Sequence, residues 1–364
     1  MIQLEEDEKR LLRHLRRHGP LPRGRLADAL GASNARLTRL SAHLIAHGLI
    51  EEATSDAPGQ RGRPATPLRI AAGAGYALGA TVHRGLIEVA LVDYAGGLID
   101  QAAEPFDSPD PLVFARTVRR QLHRMAERNR LLGIGVGVPG PSLSRDGSRR
   151  STVDSLAGWR GIELAALFEE AFGHPVWIEN DANAAALAEF YRGGLMQRCE
   201  TAVVILLGHG IGAGIINEGR LMRGEMASAG EIGTLYPIER PRPSTLDLLA
   251  TLRAAGCPVD SLIDLDERLD AYQATIDAWV ARAGRQLARI MSWGLAWIDP
   301  GAFVLSSPLP RPILHRLAAA IEPRAMRIGG HRKGPPQILV SELGGLATTI
   351  GAALLPVHAT LFTD

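Results

Sequence analysis

Cysteine is almost missing from this 364-residue chain, which has only Cys199 and Cys257. Two thiols cannot build a disulfide framework or a thiolate zinc site, so both are expected to be reduced packing residues. Long apolar runs are also missing. None approaches the roughly 20 residues that a membrane-spanning helix requires, so no membrane partner is expected. The opening Glu5-Glu6-Asp7-Glu8-Lys9-Arg10 is too charged for a signal peptide, and a cytoplasmic location is expected. An excess of either sign of charge is missing overall, with a net of +1. What is present is 46% hydrophobic content, ample for buried cores at a length that holds two or three domains.

The small net charge averages two unlike parts. Residues 1–75 hold 12 Lys and Arg against 8 Asp and Glu, while the remainder holds 28 against 31. The asymmetry points to an N-terminal part that meets a polyanion and a body that does not. Leu4, Leu11, Leu12 and Leu15 give residues 4–18 one apolar helical face, and Gly19-Pro20 stops that helix. A second helix is expected from about Arg25 to Leu30, then a tight turn at Gly31-Ala32-Ser33, then a third helix over Asn34–His47. Strands at Leu49–Glu52 and Leu68–Ile70 would form a wing, with Ala57-Pro58-Gly59-Gln60-Arg61-Gly62-Arg63-Pro64 between them as a stiff basic loop tip or linker.

In a winged helix-turn-helix, the exposed start of the last helix enters the major groove. Asn34, Arg36, Thr38 and Arg39 supply polar and basic side chains there, with Leu37 and Leu40 behind. Arg61 and Arg63 would meet the negative potential of a narrow minor groove. A plain three-helix bundle with a solvated face, and a solvated linker at Arg61–Pro64, are the alternatives.

After Tyr76 strands take over. Strand, loop, strand, turn, strand runs through Tyr76–Ala80, Leu86–Val92 and Leu98–Gln101, and recurs through Thr201–Leu206, Gly212–Ile216 and Arg220–Met222. This order implies an internal duplication. Helical segments fill the intervals, so a two-lobed α/β body is expected behind the N-terminal module.

Three segments of the body carry chemistry. Asp181 follows the strand Pro175–Ile178 and opens a helix at Ala182, where the helix dipole favours an ionised carboxylate able to bind or deprotonate a hydroxyl. Asn180 beside it offers a donor and an acceptor, and the alternative is a simple helix cap. Gly208-His209-Gly210-Ile211-Gly212-Ala213-Gly214 could present N–H groups to a phosphate or form a bare turn. Glu231, between glycines in Ala229–Gly233, is a second arm of a polyol site or a surface glutamate.

These segments, together with Gly135-Val136-Gly137-Val138-Pro139-Gly140 and the Arg-Gly-Arg-Pro stretch, occur in the order found in the ROK family of sugar-responsive repressors and sugar kinases, which the chain resembles over essentially its whole length. The resemblance implies an α/β fold class: a winged helix-turn-helix over residues 1–72, then a two-lobed actin-like (ribonuclease H-like) ATPase fold over 73–364. It implies that Asn180, Asp181 and Glu231 hold sugar hydroxyls, with Gly140 near the same cleft. Asp181 is the catalytic base in kinases of the family.

The departures shape the functional expectation. The family's Asp-x-Gly-Gly-Thr phosphate motif is represented by Gly79-Ala80-Thr81-Val82-His83-Arg84, and a nucleotide-contacting glycine pair by Ser306-Ser307. A zinc-binding His is replaced by Thr234, and Leu235–Thr245 contains none of the family's cysteines. The expectation is therefore a transcriptional regulator, a repressor, without catalytic residues, metal or cofactor. Its partners would be a double-stranded DNA operator, a sugar or sugar-derivative effector held in the interlobe cleft, and a second copy in a homodimer or larger homo-oligomer. An ATP-dependent sugar kinase with a fused DNA-binding arm is the alternative.

Overall fold

The computed structural model describes residues 4–53, 66–83, 85–125, 130–237, 239–259, 261–262, 265, 270–321 and 336–362. It begins with α1 (Glu6–His18), β1 (Leu21–Pro22), α2 (Arg23–Leu30), α3 (Asn34–Ala46), β2 (Ile50–Glu52) and β3 (Pro67–Ile70). Leu11, Leu12 and Leu15 lie on one face of α1 and are buried with Leu26, Leu37, Leu44 and Leu68. Acidic Glu6, Asp7 and Glu8 open α1 and basic Arg16, Arg17 and His18 close it, matching the helix dipole. Ser33 caps α3 by accepting from the Arg36 N–H at 3.2 Å. The three strands pair antiparallel in the order β1-β3-β2, the wing expected from the sequence. The intervening residues 54–65 lie outside the described residues, and Arg61 and Arg63 with them.

The chain divides into two compact units. The first comprises Met1–Val136, Leu164–Ile178 and Ala352–Asp364; the second comprises Gly137–Glu163 and Glu179–Gly351. Behind its winged helix the first unit carries β4 (Tyr76–His83), β5 (Gly85–Asp93), β6 (Leu98–Phe106), α4 (Pro111–Met125), β7 (Leu131–Val138), α5 (Leu164–Phe172) and β8 (Val176–Asn180). The sheet order is β6-β5-β4-β7-β8. Phe106, Phe114, Phe168 and Phe172 pack beneath it as a chain of ring contacts. The winged helix is fastened within this unit by two arginines of α1. Arg16 lies 4.7 Å over the Tyr94 ring, and Arg13 lies 5.2 Å over the Phe362 ring while donating to the Leu361 carbonyl at 3.1 Å.

The second unit holds α6 (Asp181–Tyr191), α7 (Leu195–Arg198), β9 (Thr201–Leu207), β10 (Ile211–Asn217), β11 (Arg220–Leu221), α8 (Thr245–Ala254), α9 (Gln273–Ile298), β12 (Ala302–Ser306), α10 (Arg311–Ala320) and β13 (Gln337–Val340). Its sheet order, β11-β10-β9-β12-β13, repeats that of the first sheet strand for strand, as the duplication read from the sequence requires. β9 runs parallel to β12 and antiparallel to β10, and its Ala-Val-Val-Ile-Leu-Leu run is buried throughout. Ile276, Trp279, Ala283, Leu287, Met291 and Leu295 recur at helical spacing along α9 and cover Val203, Ile205, Phe303 and Leu305.

The last helix, α11 (Ala347–Phe362), corrects one expectation. With the preceding turn it forms a 19-residue stretch, Gly344–Phe362, that is long and apolar enough to cross a membrane. Most of it is buried inside the protein, which is how the core helix of a globular protein passes the same test. A Cβ on Gly351 would lie 1.7 Å from the Ala184 carbonyl oxygen, so α11 and α6 touch backbone to backbone.

Candidate functional site

Of the side chains expected to contact DNA, Asn34, Arg36, Thr38 and Arg39 fall at the exposed start of α3, and Arg61 and Arg63 lie outside the described residues. Asn34, Arg36, Thr38 and Arg39 face solvent, while Leu37 between them is fully buried. The Arg36 guanidinium pairs with Asp7 of α1, and the Thr38 hydroxyl donates to the Asn34 carbonyl at 2.8 Å. Both are surface contacts of small worth that a phosphate or base edge can displace.

Gly140, Asn180, Asp181 and Glu231 all lie in the second unit. β8 ends at Asn180 and α6 begins at Asp181, the strand-to-helix junction expected from the sequence. Asn180 is the helix cap: its Oδ1 accepts from the Ala182 N–H at 2.8 Å and the Asn183 N–H at 3.4 Å. Its Nδ2 donates to the Gly140 carbonyl at 3.4 Å, which leaves one N–H of that amide for a ligand. One end of this side chain caps the helix and the other end holds the Gly140 carbonyl. Asp181 is half-buried and its Oδ1 accepts from the Ala182 N–H at 2.8 Å. Gly140 has φ of 103°, and a Cβ there would lie 2.2 Å from the Ser151 carbonyl oxygen. Only glycine fits this turn.

The residue that binds these segments together is one that sequence reasoning passed over. Arg150 has no exposed surface. Its Nη1 donates to the Gly140 carbonyl at 3.3 Å and its Nη2 to Glu179 Oε1 at 3.4 Å. Glu179 is buried as well, and accepts from Arg223 Nε at 2.8 Å, Asn183 Nδ2 at 3.0 Å and the Asn180 N–H at 2.8 Å. Burial works to raise the Glu179 carboxyl, but Arg223, Arg150 and these hydrogen bonds outweigh it and hold the group below the usual carboxylate range. Burial also lowers the Arg150 guanidinium, with Glu179, Asp181 and Glu231 opposing. Glu231 is raised, first by burial and then by the like charge of Asp181. The Asp181 carboxylate and the Arg150 guanidinium thus both bear on Glu231, in opposite directions.

The ROK family matches residues 84–358, a span that includes every one of these groups. The chain belongs to the ROK family. Over 99% of its length this ROK protein is 32% identical to the protein y4fQ of Sinorhizobium fredii, covering 93% of that protein. It is 27% identical over 62% of its length to the xylose repressor of Bacillus spizizenii, and there it spans 59% of the repressor. Among solved structures, a ROK family transcriptional regulator homologous to the Escherichia coli MLC protein superposes with a TM-score of 0.72 at 21% identity, covering 98% of this chain and 97% of that one. The Streptomyces griseus glucokinase, solved with glucose and AMPPNP, superposes with a TM-score of 0.61 at 23% identity, covering 77% of this chain and 99% of the kinase. The fold is therefore a winged helix joined to a kinase-like actin fold.

The structure gives the local settings of the segments that the resemblance sets beside the family's nucleotide and zinc positions. Gly79–His83 continue β4 in register with β5, His83 pairing with Leu86; Arg84 and the His83 side chain lie outside the described residues. Ser307 is buried, its Oγ donating to the Leu207 carbonyl at 2.6 Å and accepting from the Leu309 N–H at 3.1 Å. Gly208-His209-Gly210 forms the turn between β9 and β10. A Cβ on Gly208 or Gly210 would meet open space, so the fold itself does not demand glycine at either. Thr234 is exposed and its hydroxyl donates to the Glu231 carbonyl at 2.7 Å. Among the described residues no three His, Cys, Asp or Glu side chains are grouped to hold a metal ion. The side chains at this position do not fit the zinc site of the family.

Proposed function

We propose that this ROK protein is a DNA-binding transcriptional regulator, a repressor, whose sugar-kinase-like body binds a carbohydrate or a derivative and turns over no ATP. One observation supports this above the rest. A winged helix with an exposed polar α3 is built into the same chain as Asn180, Asp181 and Glu231, the residues we propose to bind hydroxyls. The working division is residues 1–72 for the DNA-binding module and 73–364 for the body, acting as a homodimer or larger homo-oligomer on paired half-sites. The xylose repressor and the MLC homologue among its relatives support the regulatory reading. The effector shifts DNA affinity only by its differential affinity for the two states of the protein.

The test is a titration of the protein on DNA from its own upstream region, with and without a panel of sugars. Asp181→Ala and Glu231→Ala should remove the effector's influence and leave effector-free DNA binding nearly unchanged. DNA affinity that no panel member alters would sink the sensor reading.

A second reading, a sugar kinase with a DNA-binding arm, draws on the position of Asp181 at the α6 N-terminus and on the glucokinase likeness. Phosphoryl transfer depends on neutralising phosphate charge, and a lone base accomplishes little without that cradle. Sugar-dependent ADP formation at about 1 per second or faster, lost in Asp181→Ala, would establish it instead.

A further inference from the structure

The five tryptophans of the chain are placed in two very different ways. Trp159 and Trp279 are fully buried, whereas Trp297 is 89% exposed and Trp293 47% exposed, one turn apart near the end of α9. Removing an indole from water contributes strongly to association, and a pair on one helix face is not the scatter of single apolar side chains that any surface carries. Arg285 and Arg289 continue the same face at intervals of four residues and are exposed as well. The run from Arg285 to Trp297 contains no Asp or Glu, and Asp299 stands exposed at the helix end. Tryptophan and arginine are the residues that most often carry the energy of a protein interface.

Resting on the reading of the protein as a homo-oligomer on paired half-sites, we propose that this face of α9 meets the same face of a second copy, antiparallel, about a two-fold axis at Trp293. The spacing and the charges support that occupant. Arg289, Trp293 and Trp297 are evenly spaced, so a two-fold axis through Trp293 sets it against the partner's Trp293 and lays each Arg289 on the partner's Trp297. A guanidinium over an indole is attractive, and the axis makes the contact twice. The same arrangement brings each Arg285 towards the partner's Asp299, a pairing of opposite charge. Residues four apart also form the ridge through which packed helices most often interlock. A parallel arrangement would instead set arginine against arginine.

Sedimentation equilibrium of the full chain tests this. The wild type should form dimers at micromolar concentration, and Trp297→Ala should raise the dimer dissociation constant at least about tenfold. Because that side chain is exposed within its own chain, the circular dichroism spectrum of the variant should stay that of the wild type. Arg289→Glu and Trp297→Lys test the register. Alone, the first loses both guanidinium–indole contacts and the second sets cation against cation, so each should be weakened at least about tenfold as well. Mixed, the two introduced charges attract across one contact while the other contact stays native, and the heterodimer should recover to within about tenfold of wild-type affinity. No recovery in the mixture overturns the proposal. A wild-type dimer that all three substitutions leave intact overturns this face and leaves the homo-oligomer reading standing, whereas a wild type that stays monomeric overturns both. Retention on anionic vesicles or single-stranded DNA that is lost in Trp297→Ala, with the dimer unaffected, assigns the face to another partner and overturns the proposal too.

Discussion

Glu189 shows how much one side chain can carry without touching the site. It is buried in α6, and burial pushes its carboxyl up to about 7, with neighbouring Glu342 adding to the rise and the Ser341 and Ser306 hydroxyls opposing it. A carboxyl raised in the folded state contributes stability below its unfolded pKa, and that contribution is lost as pH rises through the folded value. The window here runs from the ordinary value of 4.5 to about 7. Glu189→Gln should therefore match the wild type near pH 4.5 and gain on it above pH 7, by as much as about 3 kcal/mol. Chemical denaturation across that range is the check, and parallel stability curves would refute the idea. The same scale shows why Arg150 escaped the sequence. Arg149 and Arg150 are adjacent and chemically identical, yet one is exposed beside Glu163 and the other wholly buried beside Glu179. Nothing local separates them.

At the scale of elements, α3 and α6 were legible because each announces its own start. Ser33 and Asn180 are capping residues at the positions where caps form. Two predictions belong here. Arg39→Ala should weaken binding to a specific operator by about 1–3 kcal/mol if its guanidinium grips a base edge, with binding to unrelated DNA much less affected; fluorescence anisotropy on both DNAs is the measurement. Gly351→Val should destabilise the chain by about 3 kcal/mol or more, because its new Cβ would enter the Ala184 carbonyl of α6. Native-like stability in denaturant would show that α11 can shift to make room. The helix α11 also shows the limit of reading by composition. An apolar stretch of that length is read by composition, and only its neighbours show that it is a core helix.

For the molecule as a whole, the absence of a family feature becomes an expected outcome. The protein as purified should hold well under one zinc per chain after dialysis, because Thr234 and the cysteine-free Leu235–Thr245 stand where ligands would be needed. Elemental analysis decides this, and about one tightly held zinc per chain would refute it. Reciprocity is the other whole-molecule consequence. If a sugar weakens operator binding by some factor, the operator must weaken sugar binding by the same factor.

The amino-acid sequence by itself determined the winged helix, the repeated strand order, and the identity of Gly140, Asn180, Asp181 and Glu231 as site candidates. The winged helix and the strand order are written in short runs whose periodicity, caps and turns act locally, whereas Gly140 joined the candidates through the resemblance to the ROK family. Only the tertiary structure decided that Glu179 is a buried hub for two arginines and that Arg150 sits among segments far apart in the chain. The reason is physical. A cap or an apolar stripe is fixed by neighbours within a turn or two of chain, whereas the burial of a charge depends on which distant carboxylate folds against it.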